Sequence, residues 1–460
     1  MSTLNDLRKV HFIGIGGYGM SALALILLQA GFDVRGSDLN PSKLVEILKK
    51  SGAKVFIGHR EEQLGDAELV VYSTAIPADN PELKAAEKLG LPLWHRSELL
   101  AFVLNRGHGI AIAGTHGKTT TTAMLSLILE KAGVDPTAII GGEVPFFGGN
   151  ARLGKSEYIV AEACESDHSF LRYKPYLALV TNIEADHLEH YDGDFNKMVE
   201  TYRIFINNVK EGGTAVVCGD DPILSELRLE LCHRIKTYGL GPENEIRGER
   251  VELQGLASRF QVWQKDQFLG EVVLKVPGLY NVLNALGAIA VALLLGIKFS
   301  IIKKALLTFT GAKRRFECIG EIGGIVVIDD YAHHPTEVKA TLEAARKSGK
   351  RLICIFQPHR YTRTKYLWKD FLEAFDEADI LILDSIYSAG EASIPNINSF
   401  KLGLEIRERG HKEVHVIPKQ EEIIHFLENT ARPGDMIITM GAGDIWKVST
   451  NFYQRVLSTA

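Results

Sequence analysis

Short apolar runs recur along the chain, bounded by glycine or polar residues and followed by stretches of helical period. Val10-His11-Phe12-Ile13 reads as a buried strand, and the residues from Met20 to about Ala30 read as the helix that follows. Further strands are predicted over 32–35, 54–57 and 69–72, with a helix over Leu83–Leu89. That alternation predicts a small parallel α/β domain over residues 1–104. A second unit, 105–310, opens with a strand over Gly109–Ala113 and a helix over Ala123–Ala132. It continues with strands at Tyr158–Ala161, Leu177–Val180 and Thr214–Val217. Residues 245–275 alternate apolar and polar positions, which predicts an antiparallel flap, and 282–297 reads as a buried helix. A third unit, 311–460, carries central strands at Ile325–Ile328, Leu352–Phe356, Ile380–Leu383 and Met436–Thr439. It again reads as doubly wound α/β. No short repeat or low-complexity segment interrupts the pattern.

Composition sharpens this picture mainly by exclusion. At 460 residues the chain has room for about three domains of ~150 residues each. With 46% apolar and 24% charged residues it belongs to the soluble globular class. A formal net charge of −5 gives no electrostatic reason to expect nucleic acid or an anionic membrane as partner. Met1–Lys9 is short and polar and leads into a strand, so no signal peptide is expected. Val282–Ile297, interrupted by Asn284, is shorter than the roughly 20 residues a membrane span needs. Five cysteines (Cys164, Cys218, Cys232, Cys318 and Cys354) show no metal-ligand or redox spacing. They fit reduced thiols in a cytoplasmic protein.

The densest chemistry lies in Ala113-Gly114-Thr115-His116-Gly117-Lys118-Thr119-Thr120-Thr121-Thr122, between a strand-like and a helix-like run. A glycine-rich turn there leaves backbone N–H groups to cradle phosphate, Lys118 adds a cation for the β/γ-phosphates, and Thr119 offers a hydroxyl to Mg2+. Ile112 stands where the longer P-loop pattern has its first glycine, so this is a P-loop with a variant entry. A second glycine turn, Gly14-Ile15-Gly16-Gly17-Tyr18-Gly19, follows the first strand, and Gly36-Ser37-Asp38 ends the next one. The pair fits the dinucleotide fingerprint with its acid after the second strand. The fingerprint reports close approach of backbone to a diphosphate, which UDP carries as well as NAD.

Other candidates gather at strand ends. Tyr158–Ala161 runs into Glu162, where a second Mg2+ ligand is expected beside a P-loop, but Glu165 and Asp167 stand close enough that spacing does not choose among them. Ala178–Val180 runs into Thr181-Asn182-Ile183-Glu184-Ala185-Asp186-His187, where His187 is a metal or phosphate candidate. Lys313-Arg314-Arg315-Phe316 opens the third unit. Asp329-Asp330-Tyr331-Ala332-His333-His334-Pro335 and Gln357-Pro358-His359-Arg360-Tyr361-Thr362-Arg363-Thr364 follow two of its strands. Arg360 and Arg363 are spaced to clamp a carboxylate or phosphate, with surface salt bridges as the alternative. Both segments should end strands at one edge of one sheet.

Together these segments resemble the Mur ligase family, in its alanine-adding branch, nearly end to end. The likeness also rests on Ser73-Thr74-Ala75-Ile76, His95-Arg96-Ser97-Glu98 and Gly441-Ala442-Gly443-Asp444-Ile445. It implies three α/β domains: a Rossmann-like 1–104 that binds a UDP-sugar, a P-loop ATPase-like 105–310 with a mixed sheet that binds ATP and Mg2+, and a Rossmann-like 311–460 that binds the amino acid. The implied partners are UDP-N-acetylmuramate, L-alanine and ATP, for a cytoplasmic monomer or weak homodimer. Implied UDP-sugar residues are Gly14, Gly16, Gly17, Tyr18, Gly19, Ser37, Asp38, Ser73, Thr74, His95 and Arg96. Implied ATP residues are Gly114, Thr115, His116, Gly117, Lys118, Thr119, Thr120, the asparagine Asn281, the arginine Arg315 and the ribose-binding acid Asp330. The metal set is Thr119, Glu162 and His187. Lys118 and His187 take catalytic roles, with His333 or His334 as base for the amine. Tyr18 departs from the aliphatic residue usual in the family, and Cys164 and His168 interrupt its acidic motif.

Two rival readings use less of the chain. An NAD-dependent oxidoreductase accounts for Gly14 to Asp38 and leaves the P-loop without a task. A sister ligase that attaches a peptide shares the reaction but not the alanine-type start and Gln357–Thr364 segment.

Overall fold

Glycine turns and apolar runs assemble the first βαβ unit as the pattern predicts. β1 (Lys9–Ile13) leads through a turn into α1 (Tyr18–Gln29) and β2 (Asp33–Asp38). α2 (Lys43–Lys50), β3 (Lys54–Ile57), β4 (Leu69–Tyr72), α3 (Pro81–Lys88), β5 (Leu93–His95) and α4 (Arg96–Arg106) follow. The sheet order is β3-β2-β1-β4-β5, all parallel, as in a Rossmann-like half. α3 starts two residues before the predicted Leu83, because Asn80 caps it through the N–H groups of Glu82 and Leu83 and Pro81 occupies its first turn.

This computed structural model describes residues 7–231 and 234–459, so Cys232 lies outside the described residues. Residue contacts divide the chain into two compact units: Met1–Ile183 with Asn196–Tyr238 and Gly287–Ile302, and Glu184–Phe195 with Gly239–Leu286 and Lys303–Ala460.

The first unit holds, besides that sheet, β6 (His108–Ala113), α5 (Lys118–Lys131), β7 (Thr137–Val144), β8 (Gly149–Arg152), β9 (Tyr158–Glu162) and β10 (Leu177–Val180). α6 (Phe195–Asn207), β11 (Thr214–Cys218), α7 (Pro222–Leu227) and β12 (Ile235–Gly239) complete the succession. These strands are ordered β12-β11-β10-β6-β9-β7-β8, with β8 antiparallel to β7 and the rest parallel. The sheet is therefore mixed, and the P-loop strand β6 lies between β10 and β9. α5 begins at Lys118, earlier than the predicted Ala123, with Thr119 to Thr122 buried inside it.

In the second unit β13 (Ile246–Gln254), β14 (Ala257–Gln264) and β15 (Gln267–Leu274) form the expected antiparallel meander. α8 (Leu279–Leu294) and α9 (Phe299–Leu307), which include the Gly287–Ile302 stretch counted with the first unit, lead on to β16 (Glu317–Ile322), β17 (Ile325–Asp330), α10 (Pro335–Arg346) and β18 (Arg351–Phe356). α11 (Tyr361–Tyr366), α12 (Trp368–Phe371), β19 (Ile380–Leu383), α13 (Ser399–Glu408), β20 (Val414–Val416), α14 (Gln420–Thr430), β21 (Asp435–Met440) and α15 (Trp446–Thr459) complete it. The six strands are ordered β16-β17-β21-β18-β19-β20, parallel except for the edge strand β16. Val326, Ile328, Leu352, Cys354, Met436 and Ile438 feed one core cluster, while Ile325, Val327, Ile353, Ile355 and Ile437 feed another. Alternate residues thus bury on opposite faces, which is why these strands read as unbroken apolar runs. The chain is α/β throughout, with Rossmann-like N- and C-terminal domains and a central P-loop domain. Among the described residues no helix is long and apolar enough to cross a membrane.

Candidate active site

The turn after β6 is shaped by its neighbours in the sheet. Gly114 has φ 134°, and a Cβ there would lie 1.9 Å from Thr181 Oγ1, so no other residue fits. Thr181 and Asn182, at the end of β10, hold the loop. Thr181 Oγ1 donates to His116 O (2.6 Å), Asn182 Nδ2 donates to the same oxygen (3.1 Å), and Asn182 Oδ1 accepts from His116 N (2.8 Å). Thr115 N donates to Asn182 O at 3.1 Å. Gly117, at φ 84°, then turns the chain into α5. Lys118, Thr119 and Thr120 therefore occupy the helix's first turn, the part of the fold suited to phosphate.

Three acids that spacing left unresolved take three different partners. Lys118 Nζ lies 2.9 Å from both oxygens of Glu165 and donates to Gly114 O and Thr115 O (3.0 Å). Burial opposes the Lys118 charge, but Glu165 outweighs it and raises the pKa, so the ammonium persists at neutral pH. Glu162 accepts from Thr119 Oγ1 at 3.2 Å and from Gly141 N. Asp167 pairs with Arg96 at 3.1 Å. Thr119 and Glu162 together present hydroxyl and carboxylate oxygens, a donor set suited to a hard cation such as Mg2+. Cys164 lies 3.0 Å from Ser166 Oγ, and burial pushes its thiol up.

In the N-terminal domain the glycine turn is held from β2. Gly14 N (2.8 Å) and Ile15 N (2.9 Å) donate to Ser37 O, and Gly16 N donates to Asp38 Oδ2 at 2.8 Å. Gly17 caps α1, and Tyr18, its first residue, is 45% exposed. Gly19 stands against the Arg96 guanidinium, its ideal Cβ 3.4 Å from Nη1. Ser73 and Thr74 form the turn after β4. His95 caps α4, its Nδ1 2.7 Å from Ser97 Oγ, and burial followed by the Arg96 charge lowers its pKa. Ser37, expected among the UDP-sugar residues, has a fully buried side chain whose hydroxyl donates to Glu82 and lies 2.9 Å from His59 Nδ1.

The second unit gathers the remaining candidates. Asp186 and Arg363, both buried, meet at two points: Nε to Oδ1 at 3.1 Å and Nη2 to Oδ2 at 3.3 Å. Burial works against the Asp186 carboxylate, but Arg363, with His187 and His333, holds its pKa well below the usual range. Arg363 Nη1 donates to His359 Nδ1 at 3.2 Å, and Arg360 Nη1 donates to Glu189 at 3.3 Å. The surface-bridge alternative is thus overturned for Arg363. His187, Glu189 and His190 bring ligand atoms within 4.8 Å of one another. The strands preceding Tyr331 and Gln357, β17 and β18, both run parallel to β21, so those segments do leave the sheet at the same edge.

The two candidate bases are occupied differently from expectation. His333 Nδ1 donates to Tyr331 O at 2.8 Å, and burial pushes its pKa down to about 3. His334 is the N-cap of α10, accepting from Thr336 N at 3.3 Å in a reciprocal arrangement with Glu337. Asp330 ends inside β17, not after it. Its oxygens accept from Phe316 N (2.8 Å) and Ala332 N (2.7 Å), and burial raises its pKa to about 6. Asn281 Nδ2 donates to Pro277 O at 2.7 Å, and Arg315 lies 5.0 Å from the Tyr331 ring centre.

Known proteins resemble this chain over nearly its whole length. Residues 9–108 match "Mur ligase family, catalytic domain", 112–292 "Mur ligase middle domain" and 314–443 "Mur ligase, glutamate ligase domain". The chain belongs to the Mur ligase family. It is 49% identical to a UDP-N-acetylmuramate–L-alanine ligase of Pelotomaculum thermopropionicum, over 98% of both chains. The ligase of the same name from Geobacter sulfurreducens is 44% identical, also over 98% of both. The crystal structure of a UDP-N-acetylmuramate–alanine ligase from Thermotoga maritima matches with TM-score 0.85 at 30% identity, covering 98% of this chain and 100% of that one. A murein peptide ligase from Psychrobacter arcticus gives TM-score 0.71 at 26% identity, covering 98% of both.

Several residues of this Mur ligase carry structure that sequence reading passed over. In the sequence Thr181 and Asn182 are simply part of a polar strand end; the pairing of β10 with β6 is what brings them to the P-loop. His11, His59 and Glu82 converge beneath Ser37, with Glu82 accepting from His11 Nε2 (3.2 Å) and facing His59 Nδ1 (3.0 Å). These three lie far apart in sequence, and no local motif marks them.

Proposed function

We propose that this Mur ligase joins L-alanine to the lactyl carboxylate of UDP-N-acetylmuramate, with ATP converted to ADP and phosphate. The observation that carries the reading is the P-loop held between β9 and β10, with Lys118 fixed by Glu165 and Thr119 facing Glu162, in a chain whose relatives at 44–49% identity bear that ligase name. The lactyl carboxylate attacks the γ-phosphorus, an acyl phosphate forms and ADP leaves. The amine of alanine then attacks the acyl carbon, and phosphate departs from a tetrahedral intermediate. No protein nucleophile takes part. The enzyme's work is positioning and charge neutralisation.

The residue roles follow as part of the proposal. Domain 1–104 takes the UDP-sugar through the N–H groups of Gly14–Gly19, with Asp38, Ser73, Thr74, His95 and Arg96 around them. Domain 105–310 takes ATP at Gly114–Thr120, and Lys118 neutralises the transferring phosphoryl group. Mg2+ would be held by Thr119 and Glu162, and when bound it neutralises phosphate charge. His187 is proposed as a further ligand on its own evidence, the neighbouring Glu189 and His190. We assign nucleotide contacts to Asn281 of domain 105–310 and to Arg315 and Asp330 of domain 311–460, and the alanine carboxylate to Arg360 or Arg363 of that last domain. His333, neutral at pH 7 and a weak base, accepts a hydrogen bond from the amine through Nε2, while His334 caps its helix. The enzyme is proposed to be cytoplasmic, a monomer or weak homodimer.

Phosphate release measured with each substrate omitted tests the reading. Release should require ATP, UDP-N-acetylmuramate and L-alanine together. Equal turnover without the amino acid, or with a peptide in its place, would replace it with an ATPase or a peptide-adding ligase.

A further inference from the structure

In the Lys313-Arg314-Arg315-Phe316 run the two arginines sit differently. Arg314 spends its whole fork on the protein. Nε donates to Asp329 Oδ2 at 2.9 Å, Nη1 to Gly443 O at 3.1 Å and Nη2 to Gly441 O. Asp329 is 1% exposed, and its other oxygen accepts from Thr439 Oγ1 at 2.8 Å. One guanidinium therefore ties the turn before β16 to β17 and to the glycine loop after β21.

The backbone at this turn is unusual. Arg314 (φ 57°) and Phe316 (φ 50°) are both left-handed, a conformation bulky residues adopt only where the surroundings impose it. Three hydrogen bonds impose it here. Arg314 N donates to Glu317 Oε2 (2.8 Å), Phe316 N to Asp330 Oδ2 (2.8 Å), and Tyr331 N to Arg314 O (2.6 Å). Arg315 is the residue between the two left-handed ones. Its guanidinium lies 5.0 Å from the Tyr331 ring centre, and that of Arg314 lies 5.1 Å from the same ring. Strain at a turn that presents one cation is the pattern of a functional site held in place by its neighbours.

We propose that Arg314, clamped by Asp329 and the Gly441 and Gly443 carbonyls, is a positioning residue that fixes where Arg315 presents its guanidinium to the nucleotide. The proposal rests on the nucleotide role given to Arg315 above. Lysine cannot replace Arg314, because one ammonium cannot serve three acceptors set in fork geometry.

A double-mutant cycle tests this with the full chain, reading KM for ATP, KM for UDP-N-acetylmuramate and kcat, with melting temperature as control. Arg315→Ala should raise the ATP KM about tenfold or more. Arg314→Lys should raise it to a similar degree while the UDP-sugar KM stays unchanged. The double variant should be no worse than Arg315→Ala alone, because a residue acting through Arg315 has nothing to position once Arg315 is gone. An unchanged ATP KM in Arg314→Lys, or effects that multiply in the double variant, would overturn the positioning role and leave the Arg315 reading standing. An unchanged ATP KM in Arg315→Ala would overturn both. If Arg314→Lys does not fold, Asp329→Asn releases the same clamp, and the same outcomes decide.

Discussion

Arg363 and Asp186 form a buried two-point ion pair, with both side chains less than a tenth exposed. Asp186 comes from the segment Glu184–Phe195, and Arg363 from the start of α11. The same segment also meets its unit through Glu184 to Thr336 (2.8 Å) and Glu189 to Arg360 (3.3 Å). Three acids in six residues thus grip the starts of two helices that follow β17 and β18.

Removing one partner of this pair leaves a buried charge. Asp186→Asn and Arg363→Met should each destabilise the protein by about 3–5 kcal/mol, read as loss of melting temperature or denaturant midpoint. Arg360→Lys, at a half-exposed pair, should cost about 0–1 kcal/mol. Equal, small effects for all three would show that the Asp186–Arg363 geometry is not maintained in solution. If either arginine grips alanine, its lysine variant should also raise the alanine KM at temperatures where it stays folded.

Burial makes stability depend on pH through two histidines. His333 is pushed down to about 3 by burial, and His359 to about 3 by burial and then by Arg363 and Arg360. The unfolded chain protonates both near 6.5, and the folded chain does not until near 3. Their contribution is therefore complete above about pH 6.5 and is lost as pH falls from there. At pH 5 each histidine should cost about 2 kcal/mol relative to pH 7. Asp186 acts in another window, because a depressed carboxylate loses its contribution only below the usual carboxylate pKa. Asp330 and Asp384, raised by burial to about 6, gain stability over the same window and offset part of this loss, so the test is the difference: from pH 7 to 5 the parent should lose more stability than His359→Gln does. A slope unchanged in His359→Gln would place its titration elsewhere.

The P-loop, the fingerprint turn and the order of apolar strands were legible because each is local. Gly114, Gly117 and Lys118 need only strand–turn–helix context, which lies within about twenty residues. What sequence could not do was choose among Glu162, Glu165 and Asp167. They leave one strand within six positions, and their partners Thr119, Lys118 and Arg96 come from two other helices. The four threonines misled in the other direction. They suit a helix start poorly, yet Thr122 satisfies its hydroxyl by donating to Lys118 O at 2.8 Å, one turn back, and all four bury. β7 and β8 escaped notice because glycines and a register shift between Ile139 and Val144 break their alternation.

Lys118→Ala should lower kcat by at least about a hundredfold, since a charge aimed at the transferring phosphoryl group acts mainly in the transition state. The kcat loss should persist at temperatures where the variant is fully folded, although Glu165 is left without its cation. A variant retaining more than about a tenth of the parent rate would remove Lys118 from the chemistry.

Separate partners for the three acids predict separate phenotypes. Glu162→Gln should raise the Mg2+ concentration needed for half-maximal rate, and Asp167→Asn should not. His187→Ala should behave like Glu162→Gln if it reaches the metal. A normal Mg2+ titration with a normal rate would leave His187 as a structural partner of Asp186, Arg363 and Glu189.

The central claim is that an acyl phosphate links ATP to amide formation, and oxygen transfer reads it directly. UDP-N-acetylmuramate labelled with 18O in both lactyl carboxylate oxygens is turned over with ATP and L-alanine, and the released phosphate is analysed by mass spectrometry. One labelled oxygen should appear in each phosphate, with the other retained in the amide product. Unlabelled phosphate formed alongside the amide would contradict attack of the carboxylate on the γ-phosphorus, and with it this account of the enzyme.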